Sequence, residues 1–174
     1  MALKPLQNDP SVDEGLDVPD FAEILNMQMG EAPRPGPPPV GTYTVTVPHD
    51  GVAFGKASTG TPQVRITLRL DEAAEDVEQE ALNHYLTRPD GTTMPLMNKT
   101  ISQMFWFSDA AMYRLDDFLQ SVGIPKQSYN TAFNALKGMT FRVHITHQPP
   151  NKNGLIFPAI DHSGPLPAPS TRRR

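Results

Sequence analysis

Arg65 and Arg69 stand four residues apart in QVRITLRL, where Val64, Ile66, Leu68 and Leu70 alternate with polar residues. In a β-strand this alternation sends the four aliphatic side chains to one face and both arginines to the other. At ~3.3 Å per residue the two cations lie about 13 Å apart, near the reach of two phosphate spacings along a strand of DNA. Arg142 and His144 form a second such row in MTFRVHITH, and Lys56 and Lys152 sit on loops beside these strands. Single-stranded nucleic acid is held by cations on its backbone and by aromatic planes under its bases, each stacked base contributing ~1–3 kcal/mol. Tyr85, on the polar side of an alternating segment, is the first candidate platform. Phe54 and Trp106 are further candidates whose orientation the sequence leaves open. The competing reading is an ordinary solvated sheet face whose arginines keep its edges soluble.

Other chemistries find less support. The chain has no cysteine, so disulfides and thiolate metal sites are absent. His144 and His147 are three apart, which on a strand places them on opposite faces. His49, His84 and His162 are scattered, so no metal or cofactor is expected. Asp116 and Asp117 are neighbours in a helical segment and splay by ~100°, a poor geometry for paired acid–base work. No glycine-rich phosphate loop, nucleophile elbow or triad pattern is present. The expectation is a protein that is not an enzyme.

Charge divides the 174 residues unevenly. Residues 1–40 carry two basic and seven acidic side chains, whereas residues 41–174 carry thirteen and twelve. The net charge of −4 therefore belongs mostly to the first forty residues. No apolar run is long enough to span a membrane and no signal-peptide pattern opens the chain, so a cytoplasmic protein is expected.

The sequence divides into an acidic, proline-rich flexible leader (1–40), a body (41–161) and a proline-rich basic tail (162–174) ending in TRRR. PRPGPPP, at the end of the leader, favours an extended conformation. Earlier in the leader, DVPDFAEILNM places Phe21, Ile24 and Leu25 near helical spacing, either as a plain tail or as a short acidic amphipathic helix that meets a partner.

Within the body, GTYTVTV is predicted to be a strand, VAFGKASTGTP a loop, and residues 63–70 a second strand. Leu82, His84 and Leu86 alternate with Asn83, Tyr85 and Thr87, which predicts a third. Ile101, Met104, Met112, Leu115, Leu119 and Val122 form one stripe at helical spacing. With TISQ as a capping box and Gly123 as a stop, they predict a long helix over 101–122. A rival reading makes ISQMFWF a strand and starts the helix after Ser108. MFWF reads as core with one off-stripe aromatic. The alternative is a partner or self-association surface at Trp106, and with it a homo-oligomer. Ser128 is placed to cap a short helix at 129–137. MTFRVHITH and LIFPAI supply two last strands, with Pro158 suggesting an edge.

Five short strands, with a helix pair between the third and fourth, give a mainly β fold with α elements. Its order is that of a five-stranded OB-like Greek-key barrel with extended proline-rich termini. GTYTVTV, GKASTGTP, QVRITLRL, HYLTRPDG, LDDFLQSVGIP and LKGMTFRVHI together resemble a group of bacteriophage single-stranded-DNA-binding proteins, and domains of unknown function, found among replication and recombination genes. The resemblance covers about residues 41–161 and rests on turn glycines and strand patterns. It implies an OB-type domain acting in phage DNA replication or recombination in the host cytoplasm. Its partners would be single-stranded DNA and, through the acidic leader, replication or recombination proteins. One departure stands out: many single-strand binders end in an acidic tail, whereas this chain ends in TRRR. The alternative is a structural or assembly protein of a virion that uses the barrel and its arms for protein contacts.

Overall fold

The computed structural model describes Leu25 and residues 35–167. Six strands and three α-helices, with a short 3-10 helix at Leu96–Asn98, follow one another from Gly41 to Gly164 among these residues. The strands are β1 (Gly41–Thr46), β2 (Val52–Lys56), β3 (Pro62–Ala73), β4 (Thr100–Trp106), β5 (Thr140–His147) and β6 (Pro158–Gly164). The helices are α1 (Gln79–Leu86), α2 (Met112–Ser121) and α3 (Tyr129–Leu136).

Strict alternation forms β1, β3 and β5. Tyr43 and Val45, then Val64, Ile66, Leu68 and Leu70, then Phe141, Val143 and Ile145, are all fully or almost fully buried. Polar residues on the opposite parity stay in water, so each strand buries one face only. β3 is the long central strand. On one edge it pairs with β4, and on the other with β2 and then β1, every pair antiparallel. β1 also pairs with β5, and β5 with β6. β1 and β2 thus lie end to end along β3, interrupted by the turn at 47–51. Gly51 makes that interruption compact, because a Cβ there would meet Pro48 O at 2.9 Å and Thr67 O at 3.0 Å.

The sheet curls into a half-barrel. Flat, β4 and β5 would be three strand spacings apart, about 14 Å. Yet the Phe118 ring of α2 lies 5.2 Å from Phe105 on β4 and 5.9 Å from Phe141 on β5. Only a curved sheet brings both within reach of one side chain, and the curl brings β4 and β6 into contact as well. Leu115, Leu119, Val122, Ala132, Phe133 and Leu136 of the α2–α3 region complete the core on the concave side.

Several sequence expectations need correction. The long helix over 101–122 is instead β4, a short connection and α2. Ile101 and Phe105 fit a helical stripe and also a strand parity. Pairing with the open edge of β3 decides for the strand, whose Thr, Ile, Phe and Trp content suits it. TISQ consequently opens a strand and caps no helix. Residues 82–87, predicted as a strand, form α1 and its end. Leu82, Tyr85 and Leu86 are spaced three and four apart and turn together onto the core. VAFGK is β2 rather than a loop, which makes six strands where five were expected. The last strand, expected over LIFPAI (155–160), instead starts at Pro158 and runs to Gly164, beyond the expected boundary at 161.

Other expectations hold. Ser128 Oγ accepts a hydrogen bond from the Thr131 N–H at 3.3 Å and caps α3. Gly123, at φ 95°, ends α2 in a left-handed conformation that favours glycine. A feature the sequence did not suggest is that Pro35–Val40 lead directly into β1, with Pro38 buried and its carbonyl 2.7 Å from His147 Nε2. Tyr43 donates its hydroxyl to Pro39 O at 2.9 Å. Burial of the Tyr43 phenol raises its pKa, so this bond persists through the physiological range.

Candidate nucleic-acid interface

The convex face of the sheet is built from the residues that alternate with the core. β1 contributes Thr42, Thr44 and Thr46. β3 contributes Gln63, Arg65, Thr67 and Arg69, followed by Asp71 and Glu72 around a bulge in the β1–β3 ladder. β4 contributes Ser102, Met104 and Trp106, and β5 contributes Arg142 and His144.

The two arginines of β3 have different surroundings. Arg69 donates from Nε to Asp71 Oδ1 at 2.6 Å, the only ion pair among the described residues. Asp71 also accepts the Thr46 hydroxyl at 2.5 Å, so one carboxylate ties β3 to β1 and neutralises Arg69. The same bond raises the Arg69 pKa. Arg65 is exposed and has no such partner among the described residues.

Arg65 has a different neighbourhood. It is registered with Met104 on β4 and Ala53 on β2, while Gln63 is registered with Trp106. Trp106 is therefore the diagonal neighbour of Arg65, roughly 7–8 Å away at the backbone and within reach of long side chains. Trp106 is 42% exposed. Ala53 and Gly55 leave the β2 side of the patch low. The result is a cation beside an exposed indole, flanked by Gln63, Thr67, Ser102 and Met104, on three adjoining strands.

The remaining candidates do not converge on this patch. Lys56 is registered with Pro62 and shares its parity with Phe54, so it faces away from Arg65. Arg142 lies across Thr44 from Glu72, and His144 lies across Thr42. Counting register, Arg142 is about six residues, roughly 20 Å, along the strands from Arg65. Asp71 and Glu72 lie between them, so acidic side chains separate the two expected rows of cations. Lys152 is exposed on the loop joining β5 to β6, with no registered neighbour in β3 or β4.

Tyr85 is not the open platform that a strand reading implies. It sits on α1, half-buried against the core, with the Lys99 ammonium 4.7 Å from its ring centroid. Burial raises its pKa. Phe54 is 65% exposed, with its ring edge-on to Phe133 at 5.4 Å on the concave side. Of the leader positions, Phe21 and Ile24 lie outside the described residues, while Leu25 is helical and 82% exposed.

Sequence reasoning missed Gln63, Ser102 and Met104. Reading ISQMFWF as a strand would have placed Ser102, Met104 and Trp106 on one face, and so held the signal.

Elsewhere, a recess of about 300 Å³ between α2 and α3 is lined by Asp116, Lys126 and Tyr129 among others. Asp116 accepts the Tyr129 hydroxyl at 2.7 Å, a bond that raises the tyrosine pKa. Asp116 and Asp117 are both exposed, and Asp117 does not line the recess. Among the described residues, no three His, Asp or Glu side chains gather as a metal site. None of the described helices is long and apolar enough to cross a membrane. No protein-family model matches the chain, and no curated protein matches it in sequence.

Proposed function

We propose that this chain binds single-stranded DNA without catalysis, through the convex patch of β2, β3 and β4, as a protein of phage DNA replication or recombination. One observation carries the reading: Arg65, without an ion-pair partner among the described residues, stands beside exposed Trp106 on an outward sheet face. The core needs neither residue. Together they supply the two elements single-strand binding uses, a backbone cation and a stacking plane. The strand order also supports an OB-type barrel. If β1 and β2 count as one interrupted strand, β4 is the third strand and β5 the fourth, with α2 and α3 between them. The face of strands two and three, where such barrels bind oligonucleotides, is then β3 with β4. Arg142, His144 and Lys152 would act as outlying phosphate contacts, and the acidic leader as a site for protein partners.

Trp106 is the only tryptophan in the chain, so its fluorescence reports on the patch directly. Oligo-dT should quench it in a salt-sensitive way, and duplex DNA of equal length should do so less. Absence of binding at low salt sinks the reading and leaves a virion structural or assembly role in front.

A further inference from the structure

We propose that the recess between α2 and α3 receives the chain's own proline- and arginine-bearing tail, residues 165–174. The tail leaves the fold beside that recess. Ser163, near the end of β6, is buried, and its hydroxyl lies 2.5 Å from the Ser121 hydroxyl at the end of α2. Gln120, the residue before Ser121, and Ile124, three residues after it, both line the recess. The chain continues through Pro165, Leu166 and Pro167, all exposed. The last seven positions, APSTRRR, lie outside the described residues.

Reach is ample. An extended proline-rich segment advances ~3.1 Å per residue, so Arg172 can travel up to about 25 Å from Gly164. Asp116 is only about 7.5 Å back along the α2 axis from Ser121, at 1.5 Å per residue.

Tail and recess also match in chemistry. Proline has no N–H, so a segment carrying Pro165, Pro167 and Pro169 presents mainly rings and carbonyl oxygens. Segments of this kind settle in aromatic-lined grooves. The recess offers Tyr129, Ile124 and Pro125 to the rings, and Lys126 and Gln127 as donors to the carbonyls.

Asp116 suits the arginines. It accepts the Tyr129 hydroxyl at 2.7 Å, which holds the carboxylate beside an aromatic ring. A guanidinium bonds carboxylates and stacks on aromatic faces, and this pair supplies both. No cation pairs with Asp116 among the described residues, and exposed Asp117 adds a second negative charge beside it. Lys126 offsets one of these charges, so the attraction is modest and weakens with salt. A recess of about 300 Å³ takes one guanidinium head and the nearest proline, not the whole tail. The docking does not rest on nucleic-acid binding, although a tail held here is withheld from phosphate.

The chain has no cysteine, so Ser170→Cys gives a single attachment point for a nitroxide on the full-length protein. Paramagnetic broadening of amide signals then maps where the tail rests. The Gln120, Lys126 and Gln127 signals should lose most of their intensity at low salt and recover it at high salt. Asp116→Lys should abolish the loss, and so should Arg172→Ser, Arg173→Ser and Arg174→Ser combined. The dispersion of the same spectra shows that each variant is folded. Broadening that is absent, centred on another surface, or unchanged in either variant overturns the proposal. Mixing isotope-labelled chain without nitroxide and nitroxide-labelled chain without isotope should leave the signals intact. Broadening in that mixture would assign the recess to the tail of a second copy and overturn the fold-back.

Discussion

Arg65 and Trp106, forty-one positions apart in sequence, are diagonal neighbours on the outward face of the β3–β4 ladder. Arg69 shares that face, but its charge is held by Asp71 at 2.6 Å. Two arginines that look equivalent in QVRITLRL are therefore unequal.

This inequality can be measured. Arg65→Ala and Trp106→Ala should each weaken oligo-dT binding, the tryptophan variant by about 1–3 kcal/mol, a stacked base's contribution. Arg69→Ala should cost distinctly less. Anisotropy titration with a labelled oligonucleotide checks all three, and equal losses for Arg65→Ala and Arg69→Ala would contradict the assignment.

Asp71 offers the reverse experiment. Asp71→Ala frees Arg69 and removes the acceptor of the Thr46 hydroxyl. Stability should fall modestly, because the ion pair is partly exposed and the Thr46 hydroxyl loses its acceptor. Oligonucleotide affinity should rise, because an unpaired cation is added to the face. Urea unfolding and the same anisotropy assay separate the two effects.

Phe118 closes the curl by touching rings on β4 and β5. Phe118→Ala should destabilise the protein by roughly 3–5 kcal/mol, the range for a buried phenylalanine. A loss below 1 kcal/mol in urea unfolding would mean that the half-barrel does not depend on this side chain.

Asp76 gives a pH signature. Its carboxylate accepts the Thr42 hydroxyl at 2.8 Å and the Thr42 N–H at 3.0 Å, which lowers its pKa below the usual value. The folded state thus favours the ionised form. This stabilisation is full above the unfolded carboxyl pKa and disappears as pH falls through the lower folded value. Urea midpoints of wild type and Asp76→Asn should differ at neutral pH and converge at the acid end. A constant difference would exclude the linkage.

The sequence exposed most of what depends on alternation. β1, β3 and β5 were legible because each buries one face fully and wets the other, and Ser128 announced α3. β2 was not, since five residues with a glycine and an exposed phenylalanine carry little periodic signal. Residues 101–106 satisfy two periods at once, and only the open edge of β3 chooses between them. The outward direction of Arg65 followed from parity alone. Its meeting with Trp106 required the register of Gln63 with Trp106, which no local pattern encodes. The Arg69–Asp71 pair was within reach, because two residues apart on a strand means one face.

The Thr46 and Thr140 hydroxyls lie 2.8 Å apart across 94 residues of sequence, at the ladder where β1 meets β5. β2, β3 and β4 can assemble from neighbouring segments, whereas the β1–β5 seam must wait for almost the whole body to be present. Such non-local closure places the chain among domains that fold in milliseconds to seconds, not microseconds. During synthesis, a nascent chain that has not yet reached Thr140 would leave the inner edge of β1 open. In that interval Tyr43, Val45 and the β1 backbone would be the surface a chaperone meets.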